Sequence, residues 1–268
     1  MAAKRTTPRA AQLDPSEHAV RAALRRRGLR WNGERDPTPL LVPAGRRRAR
    51  HYALLGHYSY RLFLRDVVKH GKDFGPADLT RYVTPAVAAR YLRFLRAGGL
   101  VVFAGRGRYR LRDARIVSFG GTLEWYVAEI LAREFGCDAT YGLRIRAAPH
   151  GGDYDVIACA EGELLYVETK SAPPRQIVAP EIAAFLGRVD TLRPDLALFV
   201  VDTTLRMRDK LVPMFAAELP AGSAPVRLER ELWRVAPQIY LLNADPDLVR
   251  NVGSCLAAHF RGRGIALR

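Results

Sequence analysis

The stretch GGDYDVIACAEGELLYVETKS, residues 151–171, decides the fold. It holds two short apolar runs, DYDVIACA and LLYVETKS, on either side of Glu161-Gly162. Short runs rich in Val, Ile, Leu and Tyr around such a pair predict an antiparallel β-hairpin. A turn on Glu161-Gly162 sets Asp155 opposite Glu168, and a longer loop over 160–163 leaves that register unchanged. Directly opposed residues have Cβ atoms about 4.5–5.5 Å apart, and like charges there repel. Lys170 lies two residues beyond Glu168 and projects from the same face. Two carboxylates and an ammonium therefore meet. Such a cluster is either a salt-bridged sheet edge or a site that holds a cation, since buried carboxylates are costly unless paired. A divalent cation between the carboxylates relieves their repulsion. Mg²⁺, or Mn²⁺, suits a site of carboxylates, carbonyls and waters.

Outward from this hairpin the chain reads as α/β. GGTLEWYVAEILAREFGC is a helix with one stripe of Leu123, Tyr126, Val127, Ile130 and Leu131, stopped by Gly136. DATYGLRIRAA, DLALFVVDT and QIYLLNA read as strands. IVAPEIAAFLGRVDTL, RMRDKLVPMFAAEL and PDLVRNVGSCLAAHF read as helices. A mixed sheet flanked by helices is expected over residues 114–268.

The hairpin and its neighbours resemble the PD-(D/E)XK, or restriction-endonuclease-like, nuclease superfamily. The resemblance is carried by Asp155 in GGDYDVIA and by Glu168-Thr169-Lys170 in LLYVETKS, with twelve residues between the Asp and the Glu. It covers roughly residues 118–205. The helix GTLEWYVAEIL resembles the family's first core helix, and Glu124 sits where many members keep an extra acidic residue. The family's Pro before the Asp is absent, so Asp153 competes with Asp155 for the role. Asp155 opens the apolar run and opposes Glu168, and is preferred. The resemblance implies a restriction-endonuclease-like mixed central sheet and metal-dependent hydrolysis of a phosphodiester. It implies Asp155, Glu168 and the Thr169 carbonyl as metal ligands, and Lys170 as the group that positions water or steadies developing charge. Glu124 would hold a second metal or a bridging water. Many relatives dimerise to cut both strands, so a homodimer is also implied.

The charge distribution points the same way. The formal net charge is +16. Residues 1–56 hold 13 Lys/Arg against 4 Asp/Glu, residues 57–113 hold 12 against 4, and residues 114–268 hold 18 against 19. The excess belongs wholly to the first 113 residues. A basic part joined to a near-neutral one suggests a polyanion partner, nucleic acid above all and DNA in particular. The basic stretches lack a matching Trp/Phe/Leu face, which argues against a membrane surface.

Residues 1–56 read as a basic arm or linker, with AVRAALRRRGLRW as a short helix ending at Gly28. Residues 57–113 read as YSYRLFLRDVVKHG, a helix with Tyr60, Phe63 and Val67 on one face, then the short helix GPADLTRYV. AVAARYLRFLRAGG follows, capped by Thr84-Pro85 and ended by Gly98-Gly99. LVVFAGRGRYRLRD is a hairpin. This helix, helix, hairpin order resembles a winged helix-turn-helix. The resemblance implies a recognition helix over 84–97, Arg106 and Arg108 at the wing tip, and phosphate contacts from Arg81, Arg90, Arg93 and Arg96.

Three scattered cysteines, with no CxxC or His/Cys cluster, support neither a disulfide framework nor a structural zinc site. The longest apolar run, LALFVV at 196–201, is too short to span a bilayer, and no secretory h-region opens the chain. A cytoplasmic location is expected. A DNA-binding regulator with a non-catalytic nuclease-like fold, and a nuclease for RNA or branched DNA, are the alternatives.

Overall fold

The computed structural model describes residues 15–35, 39–146, 153–220 and 224–262. Helix α1 spans Pro15–Arg26 and buries Val20, Ala23 and Leu24, a stripe at helical spacing. Gly28, at φ +71°, turns the chain into strand β1, Trp31–Arg35. Helix α2, Arg47–Leu55, buries His51 and Leu55. The stretch expected as an arm thus carries three elements, and its first 14 residues lie outside those described. The reason is that arginines hid the apolar anchors. GRRRAR opens α2, where Arg48 bonds Glu129 at 2.6 Å and lies over the Trp125 ring.

The next segment follows the expected order. Helix α3 spans Tyr58–His70, a 3-10 turn spans Pro76–Leu79, and helix α4 spans Pro85–Ala97. Strands β2, Val101–Gly105, and β3, Arg108–Leu111, form a separate hairpin. Tyr60, Phe63, Leu64 and Val67 of α3 are buried, as are Ala88, Tyr91, Leu92 and Leu95 of α4. Thr84 caps α4 by accepting from the Val87 amide at 3.4 Å. Arg106 and Gly107, both at positive φ, make the hairpin turn.

Helix α5, Gly120–Phe135, leads into strands β4, Asp138–Ile145, β5, Asp153–Ala160, and β6, Glu163–Lys170. Helix α6, Ala179–Leu192, returns to strand β7, Leu196–Val201. Helix α7, Leu211–Glu218, precedes strands β8, Val226–Glu229, β9, Leu232–Ala236, and β10, Ile239–Asn243. Helix α8, Leu248–Arg261, closes the described chain. Eight strands make one sheet in the order β1-β4-β5-β6-β7-β10-β9-β8. β6, β7 and β10 run parallel, and the other neighbours pair antiparallel. β1, β8 and β9 were not expected from the sequence. The sheet's centre is apolar on both sides, and Leu196 to Val201 are all buried.

One face of the sheet packs on α5, α8 and the α2–α4 segment, through Leu123, Val156, Val167 and Val252 with Phe63 and Tyr91. The other face packs on α1, α6 and α7, through Leu24, Phe185 and Phe215 with Tyr166 and Phe199. The first apolar cluster runs from the helical segment into the sheet without a break. The join also holds a buried ion cluster. Arg61 of α3 reaches Asp202, just past β7, with Nη2 at 2.8 Å from Oδ1, and Arg65 donates to the Asp202 carbonyl at 2.9 Å. Among the described residues no helix is long and apolar enough to cross a membrane. The three cysteines are free, and burial pushes the Cys137 and Cys159 thiols up to about 11.

Candidate active site

The β5–β6 hairpin turns on Glu161-Gly162, with φ of 51° and 82°, as the two-residue turn requires. The ladder runs from Ala160↔Glu163 to Val156↔Val167, so Asp155 and Glu168 stand opposite each other one step beyond it. There the backbone pairing gives way to a side chain. Asp155 Oδ2 accepts from the Thr169 amide at 2.7 Å and from its hydroxyl at 3.0 Å.

A break in alternation produces this. Val156 packs into the cluster under α5, whereas Tyr154 and Ile157 pack into the cluster under α6. On β4, Tyr141 and Leu143 divide in the same way around Gly142, which has φ +61°. Gly142 falls opposite Asp155 in the β4–β5 register. Glycine adopts that conformation without the steric cost of a Cβ. The sheet rolls over at this point, and the Asp155 carboxylate lies along the hydrogen-bonding edge of β6 rather than squarely on a face.

Glu168 is 3% exposed and heavily partnered. Its Oε1 takes Lys170 Nζ at 3.0 Å and Arg188 Nη2 at 2.8 Å, and its Oε2 accepts from the Tyr166 hydroxyl. Arg188 Nε donates to that same hydroxyl at 2.8 Å. Lys170 Nζ also meets Glu181 Oε1 at 3.1 Å, while Glu181 Oε2 accepts the Val178 amide at the start of α6. Burial lowers the Lys170 ammonium, but its two carboxylates outweigh burial and hold it above its usual range. Burial, then repulsion from Glu168, pushes the Asp155 carboxyl up to about 7, against the Thr169 bonds and Lys170. Burial and the Glu168 charge hold the Tyr166 hydroxyl well above its usual range, so it stays a donor.

Arg188, Tyr166 and Glu181 were not anticipated. Glu181 and Arg188 are seven residues apart on α6, hence on one helix face, and they interrupt the buried stripe of Ile182, Phe185 and Val189. Charged residues inside an apolar stripe were the available signal. Glu124 is half-buried on α5, which covers the opposite face of the sheet from Glu168. It does not join Asp155 and Glu168 in a three-donor group, and no such group of His, Cys, Asp or Glu occurs among the described residues. Asp153 is exposed and pairs with Arg144 at 2.8 Å.

A hard divalent cation would find only oxygen donors here. Asp155 and Glu168 would supply its carboxylate oxygens, and the Lys170 carbonyl accepts from the Asp202 amide on the β7 side, which turns the Thr169 carbonyl toward β5. Mg²⁺ keeps several waters and needs only one or two carboxylates.

The expected nucleic-acid contacts divide. Arg81, Arg90, Arg93, Arg96 and Arg106 are exposed. Arg108, half-buried beside the turn, is clasped by Asp73, both oxygens at 2.9 Å, and by Asp78 at 2.7 Å. The loop carrying those carboxylates folds under the hairpin, where Phe74 pairs with Tyr109. Arg108 thus shares its charge with two carboxylates of the same segment.

No family model and no curated protein matches this chain. Among solved structures it is similar to Can2 from Sulfobacillus thermosulfidooxidans, determined in complex with cyclic tetra-adenylate, with a TM-score of 0.52 at 12% identity. That match covers 88% of this chain and 61% of Can2. Protein VC1899 from Vibrio cholerae matches with a TM-score of 0.50 at 17% identity, over 89% of this chain and 60% of its own. This chain thus spans about three fifths of the length of either structure. At such identities the likeness is one of fold. The mixed α/β sheet flanked by helices that the sequence implied is the fold of this chain, shared with both structures.

Proposed function

We propose that the chain is a divalent-metal-dependent nuclease that hydrolyses phosphodiester bonds, most suitably of DNA. The observation that carries this reading is the Asp155–Glu168 register at the end of the β5–β6 ladder, with Lys170 against Glu168. Asp155, Glu168 and the Thr169 carbonyl would hold Mg²⁺ or Mn²⁺. The cation would supply positive charge at the scissile phosphate and make a bound water more acidic. Lys170, set between Glu168 and Glu181, offers its ammonium to the attacking water or to the charge that builds on the phosphate. Arg188 and Tyr166 fix the orientation of the Glu168 carboxylate. The apolar cluster around Tyr166 keeps bulk water from Tyr166 and Glu168, which are buried, and strengthens their charge interactions.

In the same reading α3, the 3-10 turn, α4 and the β2–β3 hairpin act as a winged helix. Exposed Arg90, Arg93 and Arg96 on α4, with Arg81 and Arg106, would meet phosphates and position the substrate. Can2 was determined with cyclic tetra-adenylate, itself a chain of phosphodiesters, and that ligand belongs in the assay as a competitor or activator.

A second reading has one observation in its favour. Both Glu168 oxygens are already occupied, by Arg188, Lys170 and Tyr166, as in a structural ion network. The site would then be a scaffold and the chain a DNA-binding regulator. Incubation with labelled single-stranded, double-stranded and branched DNA and with RNA decides between them. Cutting that appears with Mg²⁺ or Mn²⁺ and stops with chelator supports the nuclease. Binding without cutting under every cation supports the scaffold.

A further inference from the structure

A cleft of about 560 Å³ opens between the helical segment and the turn that leaves β6 directly after Lys170. One wall carries Asp66 and Lys69 of α3 with Arg81 and Tyr82 from the loop before α4, and the other carries Arg175 and Gln176. Asp66 is the one carboxylate lining it among the described residues, and it is buried. Tyr82 is 38% exposed, a large ring left open to solvent, with the Arg81 guanidinium 5.1 Å from its centre. The back of the cleft is fastened to the candidate site. Arg65, which also lines it, donates to the Asp202 carbonyl, and the Asp202 amide donates to the Lys170 carbonyl at 2.8 Å.

We propose that this cleft takes a single nucleic-acid strand and leads it to Asp155 and Glu168, with Lys69, Arg81 and Arg175 on its phosphates and Tyr82 stacked on a base. The proposal rests on the nuclease reading and adds to it the path and form of the substrate. A basic groove with an open aromatic ring is the chemistry that single strands use, because their base faces are exposed and those of a duplex are not. Of the six arginines expected at the interface, Arg81 is the one that lines this cleft among the described residues. Arg81 therefore joins the exposed arginines of the helical segment to the cleft. The Arg81 guanidinium lies over the Tyr82 ring, and a stacked base would cover what that contact leaves open.

The test uses the full chain and a labelled single-stranded oligodeoxynucleotide of mixed sequence. Binding is read by anisotropy in chelator, and cleavage is read in Mg²⁺ and Mn²⁺. Tyr82→Ala is expected to weaken binding from about fivefold to over a hundredfold, the range for losing one base–aromatic stack. Tyr82→Phe keeps the ring and is expected to bind as wild type. Arg81→Ala with Lys69→Ala is expected to weaken binding and flatten its salt dependence. Tyr82→Trp adds a direct signature, since its fluorescence is expected to fall when the strand binds. If wild type binds and cuts while Tyr82→Ala and the Arg81/Lys69 pair behave like it, the cleft is not the path and the nuclease reading stands. If Tyr82→Phe loses as much as Tyr82→Ala, the stacking role is overturned. If wild type neither binds nor cuts the single strand but cuts duplex or branched DNA, the cleft assignment is overturned and the nuclease reading stands; if it cuts no nucleic acid under any cation, both fall.

Discussion

Arg61 and Asp202 form a buried ion pair, 2.8 Å between Nη2 and Oδ1, across 141 residues of sequence. Arg61 also donates Nη1 to the Leu55 carbonyl at 2.5 Å. Asp202 stands at the end of β7, and its amide holds the Lys170 carbonyl at 2.8 Å. One residue therefore fastens the basic helical segment to the sheet and braces the strand that carries the candidate site.

Removing one partner of such a pair leaves a buried charge without compensation, at a cost of about 3–5 kcal/mol. Asp202→Asn is expected to lose stability of that order in urea unfolding. A loss below about 1 kcal/mol would show that the pair is incidental to the join.

Lys170 is held from two sides, by Glu168 at 3.0 Å and Glu181 at 3.1 Å. Glu181→Gln removes one anchor without touching the proposed ligands. Cleavage kcat is expected to fall about tenfold, within the range typical of positioning groups, with cation affinity unchanged. A variant that loses cation affinity instead would place Glu181 among the ligands.

His51 supplies the clearest acid limit. Burial pulls it from 6.5 down to about 4, outweighing a hydrogen bond with the Leu41 backbone that raises it. Its neighbours are Tyr60, whose hydroxyl lies 3.2 Å from Nδ1, and the Phe94 and Trp125 rings. The unfolded chain takes up the proton first, so this contribution is present above pH 6.5 and lost as pH falls toward about 4. The lowered value corresponds to about 3 kcal/mol. His51→Gln is expected to flatten the decline in thermal stability across that window. An unchanged slope would assign the acid limit to other groups.

Asp155 has the opposite sign. With its carboxyl raised to about 7, its contribution without a cation is full at acid pH and lost as pH rises through 7. A bound cation favours the carboxylate. Mn²⁺ binding by calorimetry is expected to tighten as pH rises through 7, by up to about tenfold per unit below that value, with proton release on binding. Asp155→Asn is expected to abolish that dependence. Binding that is flat with pH would remove Asp155 from the ligand set.

The sequence made the β5–β6 hairpin legible because alternation, a Glu-Gly turn and a fixed register all lie within one short stretch. The α3 and α4 stripes were legible for the same local reason. β1 and β8 were not. The side chains of β8 are mostly exposed, and the strand is held by backbone pairing to β9, so it has no alternation to read. The ion pairs of Arg108 were not legible, because its partners, Asp73 and Asp78, are 35 and 30 residues away. Arg188 stood out only as a charge within the apolar stripe of α6; that its partner is Glu168 depends on how α6 crosses the sheet, which no local pattern encodes.

The central claim is that Lys170 serves chemistry rather than a structural ion pair. Lys170→Ala, assayed for Mn²⁺ binding by calorimetry and for cleavage of a saturating labelled strand, tests it most directly. The expected result is retained cation binding with cleavage slowed by about a hundred- to a thousandfold, as for loss of one catalytic electrostatic group. Cleavage by Lys170→Ala at the wild-type rate would contradict it.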